Sequence, residues 1–146
     1  MKTDNQPNIE YIFVYGTLMR GMENPVRETL KRHLIYKGVA TIKADLFDLG
    51  EYPGAVKNEY GGPIEGELFQ IVLNSSVFEI LDDYEGYEKS DKAASLFIRA
   101  IDYVLEQSGS RVEAWIYWYN QKIPANALAI DGDYKGYLRQ RKKLGL

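Results

Sequence analysis

Tyr11-Ile12-Phe13-Val14-Tyr15-Gly16-Thr17-Leu18 sets an unbroken run of β-branched and aromatic residues directly against a glycine. The run reads as a short buried strand and the glycine as the tight turn that ends it. Without a Cβ at Gly16 the backbone can approach a bound molecule and aim N–H groups into a pocket; an ordinary strand-ending turn is the plainer alternative. Downstream, Asn24-Pro25 offers an N-cap with proline at the first helical position, which predicts a helix from Pro25 to about Leu34. Lys37 to Leu49 reads as extended. Tyr52-Pro53-Gly54 and Gly61-Gly62-Pro63 read as turns around a short Ala55-Val56 segment, and Ile64 to Leu73 as another strand. Ser76-Val77-Phe78-Glu79 has the form of a capping box opening a helix with Val77, Ile80, Leu81 and Tyr84 on one face and Gly86 at its end. Leu96 to Leu105 and Val112 to Tyr119, joined through Gln107-Ser108-Gly109-Ser110, predict a long hairpin. From Ile123 the chain is turn-rich and finishes in a short helix. Strands outnumber helices and hairpins recur, so the expected class is α+β: a small, mixed, mainly antiparallel barrel-like sheet with a few flanking helices.

The 146 residues match one domain, residues 1–146, with its core over about 11–134; 45% hydrophobic content is ample for that core. The first ten residues are polar and no apolar run is long enough for a bilayer, so neither a secretory leader nor a membrane partner is expected. There is no cysteine, hence no disulfide, thiol nucleophile or thiolate metal site; this fits a reducing compartment, and the cytoplasm is the expected location. A net charge of -3 gives no general attraction to nucleic acid. The basic cluster Arg139-Gln140-Arg141-Lys142-Lys143 reads as a solvated, partly mobile tail. The 12 tyrosines leave a homodimer open.

Familiar site types are largely excluded. Gly16 and Gly21 have the spacing of a phosphate loop, but Met22-Glu23 stands where Lys and Ser/Thr are required. The single histidine, His33, has no partner for a zinc site or nucleophile relay and reads as a surface residue, and no serine sits in a Gly-x-Ser-x-Gly elbow. Catalysis would rest on a carboxylate, a hydroxyl or the backbone, with no metal and no cofactor.

Phe13-Val14-Tyr15-Gly16-Thr17-Leu18-Met19-Arg20-Gly21 resembles the Tyr-Gly-Ser/Thr-Leu signature that opens gamma-glutamylcyclotransferase-like domains. It is followed in the same order by Tyr52-Pro53-Gly54, Glu65-Gly66-Glu67-Leu68-Phe69, Leu81-Asp82-Asp83-Tyr84-Glu85-Gly86-Tyr87 and Gly132-Asp133-Tyr134. One departure is Phe97-Ile98-Arg99, where members often carry Tyr-x-Arg; with Ala93-Ala94-Ser95 before it, the pocket wall and hence substrate choice are left open. The resemblance implies that the α-amino group of a small-molecule γ-glutamyl substrate attacks its own γ-carbonyl, giving 5-oxoproline and a free amine. It also implies Glu85 as the catalytic acid/base and Tyr15, Gly16, Thr17 and Leu18 as substrate binders, with Tyr117 as a further candidate in the pocket wall.

The residues themselves point the same way. Glu85 stands at the C-terminal end of a predicted helix, where the dipole disfavours a carboxylate, and aromatic neighbours would desolvate it further, both raising its pKa. A solvated helix-end glutamate is the plain alternative. Tyr15 is either a substrate-facing hydroxyl or core filling, and Tyr117, in Trp115-Ile116-Tyr117-Trp118-Tyr119, either lines the pocket or packs. A pocket that binds without catalysing, or one that processes a different amide, would use the same residues.

Overall fold

The computed structural model describes residues 9 to 73 and 75 to 146; the first eight of the polar residues noted at the chain start lie outside that range. Among the described residues there are seven strands: β1 (Tyr11–Val14), β2 (Leu34–Asp48), β3 (Pro53–Lys57), β4 (Pro63–Ile71), β5 (Phe97–Glu106), β6 (Arg111–Tyr119) and β7 (Leu128–Ile130). Three α-helices accompany them: α1 (Pro25–Leu30), α2 (Val77–Glu85) and α3 (Tyr134–Lys143). Strands β2-β4-β1-β6-β5 are paired in that order and β5 returns to β2, so the sheet closes into the expected barrel. Every pairing in it is antiparallel except β1 with β6, which run parallel through Ile12 and Trp115. The closing seam is thin. Only Ala40↔Glu106 and Thr41↔Leu105 join β2 to β5, whereas the β5–β6 hairpin is paired continuously from Phe97↔Tyr119 to Leu105↔Arg111.

Strand β2 serves two structures. Its first part pairs with β4, and from Ala44 to Asp48 it pairs with β3, with β7 along its other edge at Leu46–Asp48. This carries Pro53 and Gly54 back over the end of β1. Ile12, Phe13, Leu68, Val104 and Ile116 are buried, Ile12 and Phe13 on opposite faces of β1, and α2 has Val77 and Leu81 fully buried. No helix among the described residues is long and apolar enough to cross a membrane.

Four local expectations are corrected. Helix α1 is capped as expected, the Asn24 side chain accepting from the Val26 amide at 3.0 Å, but it stops at Leu30 because Leu34 and the residues after it pair with β4 from Ile71 onward. The Ser76–Glu79 capping box does not form: Ser76 makes no side-chain cap bond, and the Ser75 hydroxyl accepts from the Val77 amide at 3.1 Å. That hydroxyl also lies 2.7 Å from His33 Nδ1, so His33 is half-buried and tied to the α2 start rather than loose on the surface. The basic cluster is no tail but the last turns of α3, with Arg141 donating to the Tyr137 hydroxyl at 3.2 Å and standing 3.8 Å from Asp48. Strand β7, absent from the sequence reading, exists through its pairing with β2.

Candidate active site

A cavity of about 160 Å³ opens where β1 runs out. Its wall is built from Phe13 to Leu18, Tyr52 and Pro53 before and at the start of β3, Tyr84 and Glu85 at the end of α2, Leu96 and Phe97 entering β5, and Tyr117 of β6. Gly16 is required by the crossing with β3: a Cβ there would sit 2.7 Å from Pro53 Cγ, well inside contact distance. The two sequence elements Tyr15-Gly16 and Tyr52-Pro53-Gly54 therefore meet because Gly16 has no side chain where the Pro53 ring packs.

The loop after β1 is anchored along its length. Tyr15 donates its hydroxyl to the Tyr117 carbonyl at 2.7 Å and accepts from the Ala55 amide at 3.1 Å, joining β1 to β6 and β3. The Thr17 hydroxyl lies 2.9 Å from that of Tyr84, and Asn24 Nδ2 donates both to the Tyr84 hydroxyl at 2.9 Å and to the Thr17 carbonyl at 3.1 Å. Farther along, the Arg20 amide donates at 2.8 Å to buried Glu67, which also meets Lys135 at 3.2 Å. Between these anchors the amides of Gly16, Thr17 and Leu18 have no acceptor among the described residues. Three unspent donors in a cavity wall form a ready cradle for negative charge.

Helix α2 presents two acids of opposite circumstance. Asp82 receives Arg99 in a bidentate pair, Nε to Oδ1 at 2.8 Å and Nη2 to Oδ2 at 2.9 Å, together with the Tyr117 hydroxyl at 2.6 Å. The Arg99 guanidinium is enclosed by Phe78 and Trp115, 3.9 and 4.6 Å from their ring centres. Glu85, one turn on, has neither a hydrogen bond nor an ion pair among the described residues. Burial away from water pushes its carboxyl up to about 8, into the range where proton exchange near neutrality is efficient. The helix ends immediately after it: Gly86 takes φ 70° and its amide turns back to the Asp82 and Asp83 carbonyls. That left-handed residue favours glycine and aims the chain away just where Glu85 enters the cavity.

All the candidate residues read from the sequence thus line one cavity. They do so unequally. Gly16, Thr17, Leu18 and Glu85 offer it free polar groups, whereas the hydroxyls of Tyr15 and Tyr117 are both consumed inside the protein, and burial raises each phenol's pKa. Asp82, Tyr84 and Asn24 were not singled out as site residues. A signal existed for the first: in the period-2 pattern of β5, Arg99 shares a face with Phe97, and an inward arginine demands a carboxylate. Among the described residues no group of three or more His, Asp or Glu is placed to hold a metal ion.

The family model described as Gamma-glutamyl cyclotransferase, AIG2-like, matches residues 12–136. The chain belongs to this family. A protein of Methanocaldococcus jannaschii, named provisionally as a gamma-glutamylcyclotransferase, is 29% identical over 129 residues, 88% of this chain and 98% of the relative. A Vibrio cholerae protein with the same provisional name is 29% identical over 126 residues, covering 84% and 93%. Among solved structures, an AIG2-like protein from Mus musculus superposes with a TM-score of 0.63 at 23% identity over 80% of each chain. A Pyrococcus horikoshii protein gives 0.61 at 20% identity, covering 92% of this chain and 97% of its own. These structural likenesses carry the fold. The cavity of this gamma-glutamylcyclotransferase-like enzyme is assembled from the segments whose order the sequence resemblance rests on.

Proposed function

We propose that the chain cyclises a γ-glutamyl compound to 5-oxoproline with release of the free amine, Glu85 acting as general acid/base. The observation that carries this is the unpartnered, half-buried Glu85 carboxyl in the same cavity as the three unspent amides of Gly16 to Leu18. Nucleophile and electrophile belong to one molecule, so a wall that folds the substrate into an attacking conformer supplies a large proximity advantage.

The proton inventory closes on one residue. A substrate enters as an ammonium whose pKa, about 8 for an α-amino group, is close to that of Glu85. Transfer from the ammonium to the carboxylate replaces a buried ion pair with a neutral acid and a free amine, which the apolar wall favours. The amine nitrogen attacks the γ-carbonyl carbon, and the oxyanion that forms is suited to the amides of the Gly16 loop, as preset donors at developing charge. Collapse breaks the bond to the leaving nitrogen while Glu85 returns its proton there, and the regenerated carboxylate then takes the second proton from the ring nitrogen and passes it to the departing amine, which leaves as an ammonium.

Release of 5-oxoproline from a panel of γ-glutamyl amines and dipeptides tests the reading. The native protein should give product, with a bell-shaped kcat/KM profile that rises as Glu85 ionises, its carboxyl being pushed up to about 8, and falls as the substrate ammonium loses its proton. A still-folded Glu85→Gln variant should lose about 10²–10⁴-fold of the rate. A folded native protein that releases nothing from any member would favour a binding role for the same cavity.

A further inference from the structure

We infer that Glu67 is a positioning residue for this reaction: its carboxylate, outside the cavity, closes the loop that carries the amides of Gly16, Thr17 and Leu18 and so fixes where those donors point. The inference rests on the cyclotransferase reading and concerns how an irregular loop keeps its donors aimed. Glu67 is 4% exposed and stands on β4 directly opposite Val14, the last residue of β1. The chain leaves the sheet there and turns at Gly16, whose carbonyl accepts from the Met19 amide at 3.1 Å. It then returns to the same glutamate, the Arg20 amide donating to Glu67 Oε1 at 2.8 Å. One residue therefore stands at both ends of the loop, and the unspent amides lie between those ends.

A backbone amide bonded to a carboxylate is held more strongly than one bonded to a neutral acceptor. The charge that provides this is offset on the other oxygen, where Lys135 in the first turn of α3 lies 3.2 Å from Oε2 and Arg20 Nε lies 3.5 Å away. Both cations are partly exposed, so Oε1 is left for the loop. The Arg20 guanidinium also lies 3.3 Å from the centre of the Tyr36 ring, which holds that residue by its side chain as well as its backbone. Glu67 is not in the cavity wall, and its side chain bonds no residue that is. Its effect on the reaction therefore passes through the loop backbone. An oxyanion exists only beyond the ground state, so misaimed amides weaken the transition state more than they weaken substrate binding.

Two substitutions separate charge from reach. Glu67→Gln keeps an acceptor for the Arg20 amide and loses the charge, Lys135 turning to solvent; Glu67→Asp keeps the charge and draws the acceptor back by one methylene. Steady-state 5-oxoproline release and hydrogen exchange at the Arg20 amide are measured on the full chain, native and in both variants, with kcat referred to the folded fraction. Glu67→Asp should lower kcat about 10–100-fold with KM nearly unchanged and should lose Arg20 protection, whereas Glu67→Gln should keep kcat within about threefold and keep that protection. An ion pair that only supports the fold would rank the variants the other way, because Glu67→Gln alone removes it. That ranking, or native kcat in both variants, would overturn the inference and leave the cyclotransferase reading standing. Equal Arg20 protection in all three proteins would overturn the anchoring on which it depends. A native protein that releases no 5-oxoproline would overturn the cyclotransferase reading and the kinetic role of Glu67 with it.

Discussion

Asp82 and Glu85 sit one turn apart on α2, and the protein treats them oppositely. Asp82 is given every partner it can use: two guanidinium hydrogen bonds and a phenol. Glu85 is given none among the described residues. The difference is one of helical phase and position. Asp82 faces β5 and β6, where Arg99 and Tyr117 emerge from neighbouring strands in register with each other, while Glu85 lies past them at the last residue before Gly86. The satisfied acid clamps the helix to the barrel, and the unsatisfied one lines the cavity. The clamp is what makes the isolation of Glu85 tolerable, because an unpartnered carboxyl would otherwise be free to swing into water.

The comparison breaks most severely if the clamp is cut. Arg99→Met should cost about 3–5 kcal/mol in urea-induced unfolding, since it strands the Asp82 carboxylate with its phenol alone and removes a cation enclosed by two rings. A loss under 1 kcal/mol would mean that Asp82 is hydrated in solution and that α2 is held by Val77 and Leu81.

The opposite substitution should act in the opposite direction and only at some pH values. The Glu85 carboxyl has a folded pKa of about 8 against an ordinary 4.5, so the folded state binds more protons between those values. Its contribution is fully present below pH 4.5 and is lost as pH rises to about 8, which makes ionised Glu85 a burden on the fold. Glu85→Gln, which cannot ionise, should match the native protein near pH 4 and exceed it by about 2–4 kcal/mol at pH 9, once solvent access is allowed for. Thermal or urea unfolding across that range reads the difference. A pH-independent offset would place Glu85 in ordinary solvent.

Tyr117→Phe sharpens the contrast at the smallest scale. It deletes one hydrogen bond to Asp82 while leaving the arginine pair, and should cost about 1–2 kcal/mol. Because the Tyr117 hydroxyl makes no bond to Glu85, the pH profile of activity should keep its midpoint; a shifted midpoint would show that the clamp tunes the acid as well as holding it.

What could be read from the sequence follows the range over which the deciding interaction acts. The strand at Tyr11–Val14, the long hairpin of β5 and β6, and the stop at Gly86 are written in adjacent residues, and they formed where expected. The α1 terminus, the short β7 and the two-pair closure between β2 and β5 are set by partners tens of residues away, and no local pattern announces them. The local pattern points to Ser76, which has Glu79 three residues on, but Ser75 makes the bond to the Val77 amide and is also held by His33, a partner 42 residues away that the local pattern does not show. The same division runs through the site. Glu85 and the Gly16 loop are short, dense motifs, whereas the pairing of Asp82 with Arg99 needs α2 and β5 to be packed before it can be seen.

The Tyr15 hydroxyl donates a hydrogen bond to a carbonyl 102 residues farther along the chain, and the cavity wall draws on stretches from both halves of the sequence. No subset of strands can therefore display a working pocket ahead of the rest. In refolding, the barrel's nonlocal pairings form late and at the cost of closing long loops, and the pocket should come into being with the last cooperative step rather than accumulate. Recovered turnover would then count fully closed barrels one by one, a stricter gauge of native structure than helix or strand content.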